Sequence, residues 1–231
     1  MHNGNSNKWE YNQFVDTMPE KEYQQQQILI CDLLYENCSG PMFYSHKNRI
    51  VQGRMISPLE WLNKTKWCVH QSVVLNKGSG ANVDKRRFFP VHELMFVCLK
   101  TEKDRICNTS CFTDVWAVEQ TNRKQIKHPA AMPLSAAEKC VSSTEAQIFL
   151  DPYMGAGTTL IAAKKNGRKA IGIEIDEKYC ELAANRIQNI KKHFVHCVNC
   201  AFLCQNTLDC LAGICINKRA ASMPQENGPK K

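Results

Sequence analysis

Hydrophobic and polar positions alternate along the chain in two rhythms. From Glu20 to Asn37, EKEYQQQQILICDLLYEN combines good helix formers with no internal glycine or proline, and Gly40 lies just past its end. This predicts one amphipathic helix. The short aromatic run PMFYSHK, from Pro41, predicts a buried strand leaving a turn. In ISPLEWLNKT, Ser57 is placed to cap a helix, Pro58 to take its first position and Glu60 to close a capping box. KWCVHQSVVL and ELMFVCLK, rich in valine, leucine and aromatics, predict two more strands. The polar stretch from Thr101 to Gln125 has few periodic apolar positions and predicts a loop or small lobe, with DVWAV inside it.

The pattern is most regular after Leu134. LSAAEKCVSS predicts a helix, and AQIFL a strand ending at Asp151. A glycine loop follows, then the helix TTLIAAKKN, Gly167 as its stop, the strand KAIGIEI, and a long helix DEKYCELAANRIQNIKKHF begun by Asp176. Strand, loop, helix, strand and helix at this spacing form a βαβ unit, so the fold class is α/β with a parallel sheet. After Phe194 the pattern degrades, and the last dozen residues, polar with proline and glycine, are expected to be disordered.

Composition adds limits. The 231 residues, 43% hydrophobic and 23% charged, suit one main globular domain. Thirty Lys and Arg against 22 Asp and Glu leave a formal +8, which favours anionic partners such as nucleic acid or a phosphate-bearing cofactor. The N-terminus lacks a basic segment followed by an apolar run, and nowhere do about 18 apolar residues occur together. A soluble, intracellular protein with no membrane partner is expected. The 13 cysteines are odd in number, and Cys31, Cys98, Cys140 and Cys180 sit inside apolar patterns, which reads as reduced, buried thiols.

The candidate chemistry centres on DPYMGAGTT, Asp151 to Thr159. After the first strand of a βαβ unit the loop passes close to a ligand, so Gly155 and Gly157 leave room where a Cβ would collide. The next helix offers backbone N–H groups and its positive end. Glu174, at the end of the second strand, is placed to accept hydrogen bonds from ribose hydroxyls. The alternative for the glycines is a tight turn and no more. No Gly-Lys-Ser/Thr ending makes this a P-loop, and the third glycine of the usual dinucleotide motif is missing. A second candidate is NKGSGANVDKRRFFPVH, where Lys85, Arg86 and Arg87 precede two phenylalanines; such a run grips phosphate and stacks on bases, or is a solvated face.

LDPYMGAGTTLIAAKKNGRKAIGIEIDEKYCELAANRI resembles, almost from end to end, the cofactor-binding half of the S-adenosylmethionine-dependent DNA methyltransferases that modify adenine N6 or cytosine N4. KHPAAMP resembles that family's His-Pro segment, and GPMFYSHKNRI, ISPLEWLNKTKW and KRRFFPVHELMFVCLK are similar to later pieces of its catalytic half. The order resembles a permuted subgroup whose cofactor motif is C-terminal. The resemblance covers roughly residues 8 to 190. It implies a Rossmann-like methyltransferase fold, with a mostly parallel sheet and helices on both faces, in a domain over 1–194. Within it, 1–100 would be the remainder of a catalytic half, 101–126 a short target-recognition-like segment and 127–194 the cofactor half, with a Cys-rich, then disordered, tail at 195–231.

The resemblance further implies that Asp151, Tyr153, Gly155, Gly157 and Thr158 line an S-adenosylmethionine pocket. Glu174 would hold the ribose, His128 and Pro129 would border the site, and Lys85, Arg86 and Arg87 would meet DNA. The family holds the target amino group with Asp, Asn or Ser, then Pro-Pro and an aromatic residue, and this chain has no Pro-Pro pair. The catalytic acceptor is therefore unassigned, and two alternatives stand beside DNA methylation: a DNA- or cofactor-binding chain without activity, and transfer to RNA or protein. In the tail, His193, His196, Cys197, Cys200, Cys204, Cys210 and Cys215 lie close together. Cys197 and Cys200 would form half of a zinc site, but without a second regular Cys or His pair the favoured reading is an apolar tail, with zinc binding as the alternative, and no metal is assigned.

Overall fold

The computed structural model describes residues 18–80, 84–106, 113–121, 123–190, 210–211 and 214–217. The chain divides into two compact units, one of residues 1–121 with 135–146 and one of 122–134 with 147–231.

In the first unit, α1 (Glu20–Asn37) forms over the predicted span. It buries Tyr23, Gln27 and Cys31, a stripe of period four along one helix face. The buried amide oxygen of Gln27 is matched by Tyr44, whose hydroxyl donates to Oε1 at 2.9 Å, while its Nε2 has no hydrogen-bond partner. The strands β1 (Met42–His46), β2 (Arg49–Val51) and β3 (Arg54–Ile56) follow. The predicted capping box is present: Leu59 N–H donates to Ser57 Oγ at 3.3 Å, and Ser57 N–H to Glu60 Oε1 at 3.2 Å. It starts only one helical turn, α2 (Leu59–Leu62).

β4 (Cys68–Asn76) and β5 (His92–Leu99) pair antiparallel, and β1 joins the other edge of β5. The stretch expected as a loop contributes β6 (Val115–Ala117), which pairs parallel with β4 from Val74↔Val115 to Asn76↔Ala117. Three residues are too few to show alternation in sequence; the strand is held by burial of Trp116, whose Nε1 donates to the Thr113 carbonyl at 2.7 Å. Tyr23, Cys31, Trp61, Leu62, Trp67, Phe96 and Cys98 make the core of this unit. Burial pushes the thiols of Cys31 and Cys98 up to about 12, as it does that of Cys140, so all three are protonated at neutral pH. Cys140 lies on α4 (Leu134–Ser142). Cys31, Cys38, Cys68, Cys98, Cys140 and Cys180 carry free thiols.

The second unit opens with the single turn α3 (Arg123–Ile126). The predicted βαβ unit is formed by β7 (Ile148–Asp151), α5 (Thr158–Lys165) and β8 (Lys169–Ile173), with β7 and β8 parallel from Ile148↔Lys169 to Asp151↔Gly172. α6 (Glu177–Gln188) starts at Asp176, which accepts the Lys178 N–H at 2.9 Å. Leu160, Ile161, Ala162 and Ala163 of α5, and Ala183 and Ile187 of α6, are buried.

β10 (Ile214–Asn217) runs parallel to β8, and β9 (Cys210–Leu211) pairs antiparallel with it. The sheet of this unit thus extends past the expected boundary at 194, through strands that carry no strong alternating pattern. The fold is α/β, but among the described strands the pairing is mixed: parallel in β7–β8–β10 and β4–β6, antiparallel in β1–β5–β4, β9–β10 and β2–β3. No described helix is long and apolar enough to cross a membrane.

Candidate functional site

The loop from β7 to α5 is closed by the backbone itself. Met154 N–H donates to the Ile173 carbonyl at 3.0 Å, which ties the loop to the end of β8. Gly157 N–H donates to the Met154 carbonyl at 2.7 Å, and Gly157 accepts from Ile161 N–H at 3.0 Å to begin α5. Gly155 (φ +48°) and Gly157 (φ +73°) both lie in the left-handed region, where a side chain is strained.

Both are also tightly packed. A Cβ on Gly155 would stand 2.8 Å from His128 Nε2, and one on Gly157 2.8 Å from Ala183 Cβ. The space that a Cβ would need at each position is taken by the protein's own His128 and α6. The glycines are required by chain direction and by packing, and they shape the loop from behind.

Glu174 stands at the end of β8 and is half-buried. Its Oε2 accepts the Gly155 N–H at 3.0 Å; its Oε1 accepts the N–H groups of Ile175 at 2.9 Å and Asp176 at 3.0 Å. A carboxylate has about four acceptor positions, so three backbone donors leave one, on the oxygen that faces the glycine loop. Glu174 is first a brace for the loop, with one acceptor in reserve.

His128 is buried, its ring tilted against Tyr179 with centroids 4.5 Å apart. Ala130 N–H donates to its Nδ1 at 3.1 Å, which places the proton of the neutral ring on Nε2, the atom facing Gly155. Burial, then the nearby Arg186 guanidinium, holds the imidazole down at about 4, so it is neutral at physiological pH. Pro129 is half-buried beside it. Asp151 accepts the Tyr153 N–H at 3.0 Å on Oδ1. Burial raises its carboxyl above the ordinary range, against the lowering effect of its hydrogen bonds with the Thr159 side chain and the Tyr153 backbone.

Two participants were missed in the sequence. Arg186 donates from Nη1 to the Ala156 carbonyl, clamping α6 to the glycine loop. Its burial depresses the guanidinium below its usual value. The available signal was a cation at the seventh position after Tyr179, on the apolar face that Tyr179, Ala183 and Ile187 share. Asp176 is the other: Oδ1 caps α6, while Oδ2 is buried with no hydrogen-bond partner. The buried Thr158 hydroxyl, at the N-terminus of α5, likewise has none. Unpartnered buried oxygens in this loop region are what a polar ligand with donor and acceptor groups would satisfy. Together with the spare acceptor of Glu174, they fit a ribose-bearing cofactor.

The structure therefore brings together Asp151, Tyr153, Gly155, Gly157, Thr158, Glu174, His128 and Pro129 in one unit. Lys85, Arg86 and Arg87 belong to the other, on the exposed β4–β5 connection. There Asp84 pairs with Arg86 Nε at 3.0 Å and with Arg87 Nε at 3.7 Å. His193, His196, Cys197, Cys200 and Cys204 lie outside the described residues, as do the side chains of Cys210 and Cys215.

A family profile described as DNA methylase matches residues 21–185. The chain is 33% identical over 85 residues to the type II methyltransferase M.ScaI of Streptomyces caespitosus, covering 33% of this chain and 28% of that protein. It is 31% identical over 140 residues to the type II methyltransferase M.HinfI of Haemophilus influenzae, covering 52% and 39% respectively. The matched segments thus span well under half the length of these relatives. A structure from Thermus thermophilus, described as a DNA modification methylase complexed with S-adenosyl-L-methionine, superposes with a TM-score of 0.56 at 19% identity, over 72% of this chain and 77% of that one. At that identity the likeness speaks for the fold.

Proposed function

The chain belongs to the DNA methylase family, and from that premise we propose that it moves a methyl group from S-adenosylmethionine to an exocyclic amino group of adenine or cytosine in DNA. The observation that carries the reading is the braced glycine loop. Glu174 holds Gly155 from the front edge of the sheet, His128 and α6 support the loop from behind, and Thr158 and Asp176 leave buried oxygens unmatched.

In this reading Glu174 accepts from a ribose hydroxyl with its remaining lone pair, and the loop from Gly155 to Thr158 follows the nucleoside. Asp151 and Tyr153 face the amino-acid end, with His128 and Pro129 as its wall. S-adenosylmethionine, when bound, supplies an electrophilic methyl group on a sulfonium. The protein's part is to hold donor and acceptor in line and to exclude water, which accounts for much of the rate in such displacements. His128 serves this as a neutral group, because a cation there would repel the sulfonium. Lys85, Arg86 and Arg87 meet DNA phosphates. The target base must leave the duplex to present its amino group. This chain has no Pro-Pro pair, so no residue is assigned to hold that group.

The test has two arms. Calorimetry with S-adenosylmethionine reads the cofactor site. Transfer of labelled methyl to unmethylated DNA, followed by nucleoside mass spectrometry, reads the reaction. Label in N6-methyladenine or N4-methylcytosine supports the proposal and names the target atom; binding of cofactor without label in DNA rejects DNA methylation by this chain.

A further inference from the structure

The two most exposed large apolar side chains among the described residues are neighbours: Phe88 is 97% exposed and Phe89 67%. They lie on the β4–β5 connection directly after Lys85, Arg86 and Arg87, all exposed. Adjacent phenylalanines exposed to water are unfavourable.

The segment that presents them contains a hydrogen-bonded turn. Asp84 Oδ1 accepts both the backbone N–H and the Nε of Arg86 at 3.0 Å, and Arg87 N–H donates to the Asp84 carbonyl at 3.4 Å, which sets the turn. At the base of the connection Lys77 N–H donates to the Val91 carbonyl at 2.8 Å, and the Lys77 ammonium pairs with Glu93 at 2.6 Å. Pro90 favours extended backbone at Phe89.

We propose that Phe88 and Phe89 stack on base faces exposed where the DNA duplex is opened, with Lys85, Arg86 and Arg87 on the flanking phosphates. The inference rests on the DNA reading above and adds to it a contact with the faces of the bases. The charge of the surroundings selects this occupant over another protein surface: three consecutive cations beside two flat apolar rings match a polyanion whose bases are flat and apolar. The Asp84 pairs do not oppose it, because exposed ion pairs are weak and a phosphate offers the same guanidinium groups a second acceptor.

The experiment uses the full chain and fluorescence anisotropy on two duplexes, one fully paired and one with a single unpaired 2-aminopurine. The double variant Phe88→Ala, Phe89→Ala is expected to weaken binding to the unpaired-base duplex at least about tenfold, to abolish quenching of 2-aminopurine and to leave the salt dependence unchanged. Phe88→Trp, Phe89→Trp is expected to restore both affinity and quenching. Replacing Lys85, Arg86 and Arg87 with alanine is expected to reduce the salt slope on paired DNA by about 2 to 3. Affinity and quenching equal to wild type in the Phe double variant overturn the inference. So does loss of a wild-type dimer in that variant with DNA affinity kept, which would make the patch a contact between copies. A wild-type chain that binds S-adenosylmethionine but neither duplex removes the DNA reading itself.

Discussion

Glu174 accepts the backbone N–H of Gly155 at 3.0 Å, so the acidic end of β8 holds the glycine loop across 19 positions of chain. The same carboxylate receives the N–H groups of Ile175 and Asp176. Glu174→Ala leaves three donors without an acceptor and is expected to cost about 3 kcal/mol. Glu174→Gln, which keeps one oxygen, is expected to cost about half as much. Urea unfolding of both variants with unchanged m-values checks the order; equal stability of all three proteins would remove the brace.

Gly157→Ala places a Cβ at φ +73° and 2.8 Å from Ala183 Cβ. Backbone strain of about 1 kcal/mol and overpacking of about 1 to 2 kcal/mol are expected together. Only the second part depends on α6. In the double variant with Ala183→Gly, thermal unfolding is expected to recover the packing share and leave the backbone share, a coupling that independent sites would not give.

His128 makes stability depend on acid. Its folded-state value of about 4 lies below the ordinary imidazole value, so between about pH 6.5 and 4 the unfolded chain binds a proton that the folded one refuses. Stability is therefore expected to fall as pH drops through that window, by about 3 kcal/mol in all, and this share to level off below it. In His128→Gln, whose amide can still accept the Ala130 N–H, that share of the slope disappears. Denaturant unfolding at pH 7.5, 5.5 and 4.5 compares the two curves; parallel curves would contradict a buried, neutral His128.

Asp151 acts with the opposite sign. Burial raises its carboxyl, so as pH rises above the ordinary carboxylate value the unfolded chain ionises first and the folded state loses stability. Asp151→Asn keeps an oxygen for the Tyr153 N–H and removes the charge. Higher stability at pH 7 together with weaker S-adenosylmethionine binding by calorimetry is the expected pair of results. A less stable Asn variant would mean that the charge is needed by the fold.

Arg49 binds Glu20 through two bonds, Nη1 to Oε2 at 2.8 Å and Nη2 to Oε1 at 2.7 Å, and its guanidinium carbon lies 4.4 Å from the centre of the Tyr23 ring. With the Arg49 side chain only 5% exposed, removing either partner strands a charge. Arg49→Ala is expected to cost about 3 to 4 kcal/mol, and Arg49→Lys to recover less than half, since an ammonium supplies one point of charge and no planar fork. Melting temperatures of the three proteins test this ranking.

Local signals in the chain were enough for α1, β4, β5, the capping box at Ser57 and the run from β7 to α6. Each depends on neighbours in sequence: helix formers without breakers, valine-rich runs, a cap three residues from its partner, a glycine after a helix. The loop residues were legible for the same reason, because a strand, two glycines, a helix and an acidic strand end follow one another directly. β6, β9 and β10 were not legible, being strands of two to four residues; β6 and β10 are placed by the distant β4 and β8, and β9 only by its pairing with β10.

What the sequence by itself determined is therefore the order of elements, the family resemblance and the position of the glycine loop, all of them properties of contiguous residues. Tertiary structure alone decided what surrounds that loop. It packed His128 and Ala183 against the two glycines, turned Glu174 into a brace with one acceptor to spare, brought Arg186 onto the Ala156 carbonyl, and left Phe88 and Phe89 exposed. These are facts about which surfaces meet across the chain, and packing settles them only after the local elements have formed.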